Sequence, residues 1–256
     1  MKNSYEETFS KMRAAGSLAA DTLDQITPYV KPGVTTDKLD KICYEFIRDS
    51  GGYSAPLYYR GFPKSCCTSV NHVVCHGIPT TKILSEGDII NIDVTAIVDG
   101  WHGDTSRMFF VGDVPIKSKN LISVTYKSMM KAISIIKSGI HIGDIGETIQ
   151  TYVESEGFSV VRDFCGHGIG KIFHEQPNIL HYGKMGDGIK LHEGMIFTVE
   201  PMINEGLFHT KVLNDGWTAV TKDKLLSAQF EHTVGVTKNG FEIFTKSKKN
   251  YEQPPY

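Results

Sequence analysis

Two helix-helix-strand runs follow one another in this chain at an almost constant interval, and that repetition constrains its fold more than any other feature. In the first run, Phe9, Met12, Ala19, Leu23, Ile26 and Val30 recur every three or four residues. This spacing predicts an amphipathic helix over residues 4–30, stopped by Lys31-Pro32-Gly33. Thr35 or Thr36 then caps a second helix with Leu39, Cys43, Phe46 and Ile47 on one face, ended by Gly51-Gly52. Short β-rich runs follow at 89–97 and 107–111, punctuated by Gly87, Asp99-Gly100 and Gly112-Asp113. The same order then recurs. A helix over 121–136 stops at Lys137-Ser138-Gly139, and another over 145–156 stops at Gly157. Gly33 answers to Gly139 and Gly51 to Gly157, both 106 positions later, while Leu39, Phe46 and Ile47 match Ile145, Tyr152 and Val153. Glu86-Gly87-Asp88-Ile89 matches Glu193-Gly194-Met195-Ile196 at 107. Matched helix stops at a nearly fixed offset argue for an internal duplication over chance likeness. The prediction is a single α/β domain of two pseudo-symmetric halves, about 1–117 and 118–245. Their strands join one sheet covered by helices on one face. The remaining residues, 246–256, are polar and read as a solvated tail.

Composition narrows the class. With 256 residues, 40% hydrophobic, 22% charged and a net charge of -2, the chain has the make-up of an ordinary globular protein. Disorder, collagen-like repeats and a strongly basic nucleic-acid binder are excluded. No stretch approaches the ~18 consecutive apolar residues of a membrane span, and the first residues lack the apolar run of a signal peptide, so cytoplasmic residence is expected. The five cysteines form no CxxC pair and are expected to be reduced thiols.

The duplication also pairs carboxylates. At the 107 offset Asp93 stands opposite Glu200, each within an apolar run, Ile90-Asn91-Ile92-Asp93-Val94 and Phe197-Thr198-Val199-Glu200-Pro201. A strand-end acid facing solvent explains either one alone; two at equivalent positions point to a shared task. The next strand of each half carries Asp104 and Glu231. Four carboxylates converging on a pseudo-twofold axis repel one another unless cations neutralise them. Two divalent ions would supply that charge, one acid of each half bridging them. His167, within Cys165-Gly166-His167-Gly168-Ile169-Gly170-Lys171, offers a nitrogen ligand in a loop whose glycines permit close backbone approach. Its offset partner is Gly61, so the two metal sites would differ.

Rival motifs fail on their own residues. A phosphate loop needs glycine where Cys165 stands and Ser or Thr where Ile172 stands. HExxH fails because Asn178 occupies the second histidine's position after His174-Glu175, and no GxSxG elbow occurs. Cys75 and His76, adjacent on a strand, are expected to point to opposite faces, which disfavours a thiol nucleophile.

The motifs together carry a resemblance that spans the chain to about Thr245. The segments Phe62-Pro63-Lys64-Ser65, Val74-Cys75-His76-Gly77-Ile78-Pro79, Asn91-Ile92-Asp93-Val94, His102-Gly103-Asp104-Thr105, Cys165-Gly166-His167-Gly168, Thr198-Val199-Glu200-Pro201-Met202 and Phe230-Glu231-His232-Thr233 resemble those of type I methionine aminopeptidases. The resemblance implies the pseudo-twofold pita-bread fold, a curved, mostly antiparallel sheet covered by helices. It implies five metal ligands, Asp93, Asp104, His167, Glu200 and Glu231, with Asp104 and Glu231 bridging. His76 and His174 match the family's two assisting histidines, and Glu200 its proton carrier. Tyr59, Phe62, Cys67, His76, Phe173, His174 and Trp217 fall on substrate-binding positions. Two divalent ions, Mn²⁺, Fe²⁺, Co²⁺ or Zn²⁺, are the implied cofactors. Their chemistry is an acidified water attacking the first peptide bond while the free α-amine is anchored. The expected partners are N-termini of nascent polypeptides with a small second residue. Docking on the ribosome is left open, with no specific nucleic acid, no membrane and a monomeric state expected. The short interval from Glu200 to Glu231 leaves no room for the helical insertion of type II enzymes. Two alternatives share the fold: an Xaa-Pro aminopeptidase or dipeptidase, for which a longer chain is expected, and a non-catalytic binding protein, in which lost ligands are expected.

Overall fold

The computed structural model describes residues 5–256. The first half contributes α1 (Glu6–Ile26), α2 (Thr36–Asp49), β1 (Tyr53–Ser54), β2 (Cys67–Val70), β3 (Val73–Cys75), β4 (Ile89–Val98) and β5 (Trp101–Phe110). The second contributes α3 (Ile116–Ser134), α4 (Ile142–Ser155), β6 (Ser159–Val160), β7 (Gly166–Gly168), β8 (Glu175–Ile179) and β9 (Ile196–Val199). It continues with β10 (Met202–Asn204), β11 (Thr210–Val212), β12 (Ala219–Thr221), β13 (Ser227–Gln229), β14 (Glu231–Val236) and β15 (Phe241–Ile243). The nine-stranded main sheet runs β1-β4-β5-β14-β9-β7-β8, with β2 on β4 and β15 on β14. Every one of its pairings is antiparallel. β4-β5 and β9-β14 thus flank one central seam, β5 against β14. Two further three-stranded sheets, β13-β10-β6 and β11-β12-β3, were not foreseen. Their strands have two or three residues, too few to show an alternation.

Each half buries its strands under its own helix pair. Leu18, Leu23 and Ile26 of α1 and Leu39, Cys43 and Ile47 of α2 pack with Ile90, Ile92, Val94 and Ala96 of β4. In the second half Leu121, Met129 and Ile133 of α3 and Ile145, Ile149 and Val153 of α4 pack with Phe197 and Val199 of β9 and Val234 and Val236 of β14. Thr35 caps α2, its hydroxyl accepting from the Lys38 N–H at 3.3 Å. α1 gives way at Thr27 to a 3₁₀ turn that includes Pro28, short of the predicted end. α3 starts five residues earlier than its apolar spacing shows, because in its first turn the one apolar side chain, Ile116, is exposed and the buried position is Ser118. The expected division at about 117/118 stands beside the start of α3 at Ile116.

One expectation is extended and another corrected. β5 begins at Trp101, directly after a tight turn with Asp99 at φ 50 and Gly100 at φ 78. The strand expected to carry Asp104 and the β-rich run at 107–111 are thus one strand, which starts at Trp101. Gly103 is where α1 rests on the sheet: a Cβ there would lie 2.3 Å from the Gly16 nitrogen. The tail is only partly solvated: Lys246, Lys248, Lys249, Asn250, Glu252 and Pro255 are exposed, while the others pack on the molecule. Ser247 donates to Asp24 at 2.8 Å, Lys248 pairs with Asp21 at 2.6 Å, and the Tyr256 hydroxyl donates to the Met108 carbonyl at 2.9 Å. Its polar residues meet acids of α1 that composition alone could not place beside them. Among the described residues no helix is long and apolar enough to cross a membrane.

Candidate metal centre

Period-two geometry builds the site. Since Ile90, Ile92 and Val94 of β4 face the helices, Asn91, Asp93 and Thr95 lie on the opposite face. In register, Asp93 stands across from Ser106 and Thr95 across from Asp104 on β5. Glu231 of β14 stands across from the same Ser106. On the far side Thr198 pairs with Thr233, and Glu200 follows just past the end of β9. All four acids therefore emerge from one face about the β5-β14 seam. His167 arrives on β7, which is a strand and not the expected loop. Close approach does explain its glycines, since a Cβ on Gly166 would sit 2.4 Å from the Thr198 carbonyl oxygen.

Asp104, His167 and Glu231, exposed by only 4%, 8% and 2%, each offer one ligand atom, all within 4.8 Å of one another. His167 Nε2 lies 3.7 Å from Asp104 Oδ2 and 3.6 Å from Glu200 Oε1. Hydroxyls aim the carboxylates: Thr95 donates to Asp104 Oδ1 at 2.8 Å, and Thr198 donates to Glu200 Oε1 at 2.7 Å. Thr198 Oγ1 also accepts the His167 N–H at 3.0 Å, linking two sites of the cluster. Gln229 Nε2 donates to Glu200 Oε2 at 3.3 Å. These threonines and Gln229 escaped the sequence reading, although Thr95 and Thr198 stand two residues from Asp93 and Glu200 and so share their face.

The electrostatics are those of an anionic cage. Burial pushes Asp93 up to about 7 and Glu200 up to about 8. Asp104 and Glu231 are raised by burial and then by repulsion from their acidic neighbours. Burial lowers His167 to about 4, so its imidazole is a neutral lone-pair donor at neutral pH. Asp104, His167 and Glu231 bring one ligand atom each close enough together to fit a divalent cation, with Glu200 and Asp93 beside them.

The cavity above this cluster, about 390 Å³, is also lined by Tyr59, Phe62, Cys67, His76, Phe173, His174 and Trp217. Tyr58, Arg60 and Gly61 take positive φ values of 66, 47 and 88, a tight coil that carries Tyr59 and Phe62 to the wall. Phe62 meets Trp217 edge-on at 5.2 Å between centroids. His174 stands at the rim, its Nδ1 3.1 Å from the Tyr59 hydroxyl and its ring 4.2 Å from that of His167. Burial lowers it to about 3, with nearby imidazoles adding to the shift. The opposite-face expectation for Cys75 and His76 is overturned. His76 leaves β3 at φ 56, and both residues line the cavity. The conclusion drawn from it survives on different grounds, since burial raises the Cys75 thiol well above its ordinary range.

Comparison with known proteins bears on this geometry. The model of metallopeptidase family M24 matches residues 10–238. Methionine aminopeptidase of Rickettsia prowazekii is 62% identical over 252 residues, 98% of this chain and 97% of that protein. The Escherichia coli K12 methionine aminopeptidase is 53% identical over 244 residues, 94% and 92% of the two chains. The Rickettsia prowazekii crystal structure superposes with a TM-score of 0.93, covering 94% of this chain and 97% of that one. A Pyrococcus furiosus prolidase shares the fold at 20% identity and TM-score 0.76, but this chain covers only 65% of it.

Proposed function

The chain belongs to metallopeptidase family M24, and from that premise we propose that it is a methionine aminopeptidase, releasing the first methionine from polypeptides whose second residue is small. The observation that carries this reading is the convergence of the acid-imidazole cluster and an aromatic pocket in one cavity. Asp93, Asp104, His167, Glu200 and Glu231 would hold two divalent ions, Mn²⁺, Fe²⁺ or Co²⁺ at least as readily as Zn²⁺. When bound, such ions acidify water and polarise a carbonyl.

The chain's own residues supply the rest. Tyr59, Phe62, Phe173 and Trp217 receive the thioether side chain, each sulfur-aromatic contact contributing ~0.3–1.5 kcal/mol, with Cys67 leaving room beside them. Glu200 takes the nucleophile's proton and returns it to the departing amine, its carboxylate oxygens held by Thr198 and Gln229 at the edge of the cluster. With the Tyr59 hydroxyl donating to Nδ1 of His174, Nε2 carries the imidazole proton and donates to the oxygen that gains charge. His76, neutral because burial lowers it, does the same from the pocket side. The second residue of the substrate is crowded between the cluster and the segment bearing His174, which favours small side chains. Action on nascent chains in the cytoplasm, as a monomer, completes the proposal.

One assay tests it. Met-Ala-Ser, Leu-Ala-Ser, Met-Leu-Ser and an Xaa-Pro peptide are offered to chelated and Mn²⁺-supplied protein. Cleavage of Met-Ala-Ser that needs metal, with weak action on the others, is expected. Preferred Xaa-Pro cleavage, or full activity after exhaustive demetallation, would overturn the reading.

A further inference from the structure

The backbone of Glu200 has an unusual anchor. Glu200 stands just past the end of β9, where the ladder to β14 stops at Val199, and Pro201 next to it has no N–H to give. The Glu200 N–H is thus the last donor of the strand and finds no backbone acceptor. It donates instead to Nε2 of His181, at 3.1 Å. His181 follows β8 by two residues and is 0% exposed. An imidazole that accepts at Nε2 carries its hydrogen on Nδ1, and that Nδ1 has no hydrogen-bond partner among the described residues. A side chain chosen only to fill this space would be apolar, since a buried unpaired donor is unfavourable and leucine would carry none. The imidazole makes sense where its other nitrogen is needed.

We propose that His181 is a positioning residue: its Nε2 replaces the missing strand neighbour and fixes the backbone from which the Glu200 carboxylate enters the cavity. Thr198 and Gln229 hold the two carboxylate oxygens, and His181 holds the main chain, so three contacts fix Glu200 from three directions. The main-chain contact sets where the side chain starts. The other two set where it ends. The inference rests on the role read above for Glu200, and it assigns a purpose to a histidine outside the cavity lining.

The test compares His181→Leu, which removes the acceptor, with His181→Gln, whose side-chain oxygen restores one. Mn²⁺-loaded protein is assayed on Met-Ala-Ser, Mn²⁺ affinity is titrated calorimetrically, and the unfolding midpoint of metal-free protein is recorded. His181→Leu is expected to lower kcat roughly 10- to 100-fold, with KM within about twofold of the parent, and to weaken Mn²⁺ binding. His181→Gln is expected to recover most of both. In ¹⁵N-labelled parent protein the His181 ring should carry its hydrogen on Nδ1. Parental kcat and Mn²⁺ affinity in His181→Leu would overturn the inference. So would equal losses in both variants that follow their unfolding midpoints, or a ring protonated at Nε2. A parent that cleaves no Met-Ala-Ser under any metal would instead refute the proposed function, while the tautomer and the Mn²⁺ titrations would still decide on His181.

Discussion

At the scale of single residues, Asp93 and Glu200 hold protons where exposed carboxylates have lost them, and this makes the metal-free protein pH-sensitive in a definite direction. Their folded values, about 7 and about 8, lie above the ordinary 3.8 and 4.5. Between those limits the folded state binds more protons than the unfolded one, so stability is full at low pH and falls as pH rises through the folded values. The two histidines of the site act oppositely: His167, buried, near 4 and His174, at the rim, near 3 favour the folded state increasingly as pH rises towards 6.5 and not beyond. From pH 7 to 9 the histidines no longer contribute, and the acids act together with the buried thiols of Cys66, Cys67 and Cys75. These too are held above their ordinary range, Cys66 by its hydrogen bond with Cys43 and by burial, Cys67 and Cys75 by burial. The unfolding midpoint of chelated protein should therefore drop across that window, more shallowly in Asp93→Asn, and Mn²⁺ should raise it most at the alkaline end. A midpoint flat from pH 7 to 9 would contradict the anionic cage. Two substitutions divide the cluster from its helpers. Glu231→Ala should lose metal and lower kcat/KM by about 100-fold or more, whereas His174→Ala should keep near-parental Mn²⁺ affinity while kcat falls roughly 100-fold. Calorimetry showing a lost metal site in His174→Ala would move that residue into the ligand set.

At the scale of elements, α1 rests closely on β5 at Gly103, next to Asp104. A methyl group there would lie 2.3 Å from the Gly16 nitrogen and 2.4 Å from the Ala15 carbonyl carbon, so Gly103→Ala must lift the helix or bend the strand. Overpacking of this kind costs about 1–3 kcal/mol. Gly103→Ala should lower the unfolding midpoint and weaken Mn²⁺ binding, because the displaced strand carries Asp104. An unchanged midpoint would show that α1 gives way freely. The same contact explains what was legible in the sequence. The four helices were visible from their apolar spacing, and β4 from Ile90, Ile92 and Val94 alternating with Asn91, Asp93 and Thr95. The strand carrying Asp104 was visible through the duplication, but its first residues, Trp101 and His102, lie ahead of Gly103, where packing against α1 requires glycine and a strand pattern shows a side chain. β7 was hidden for the same reason, since Gly166 lies against the Thr198 carbonyl and Gly168 against that of Gln176. β8, Glu-Gln-Pro-Asn-Ile, is an edge strand whose polar residues carry no apolar alternation. The acids were found through the duplication. The threonines that aim them were not, because a hydroxyl inside an apolar strand looks the same in sequence whether or not it faces an acid.

At the scale of the whole molecule, the sheet separates two functions. Alternation along β5 sends Asp104 and Ser106 to the cavity face, while Arg107 and Phe109 go to the helix face. There Arg107 pairs with Asp24 of α1 at 2.6 Å, with both side chains almost fully buried. Ser247 donates to the same Asp24, and Tyr256 packs edge-on against Phe109 at 5.3 Å between centroids. The closing segment of the chain therefore completes the helix layer of the first half and touches nothing in the cavity. Asp24 draws its partners from both, so removing the tail leaves the Arg107 pair in place but opens it to water. Truncation after Thr245 should thus lower the unfolding midpoint by roughly 3–8 °C, through lost packing of Tyr256 and exposure of that pair. Turnover measured well below the midpoint should stay within about twofold of the parent in kcat and KM, because the cavity lies on the other side of the sheet. A truncated protein with the parental midpoint would mean that the tail contacts contribute nothing to stability. Loss of kcat at an unchanged midpoint would mean that the helix layer governs the geometry of Asp104 through β5, and that the two faces of the sheet are coupled.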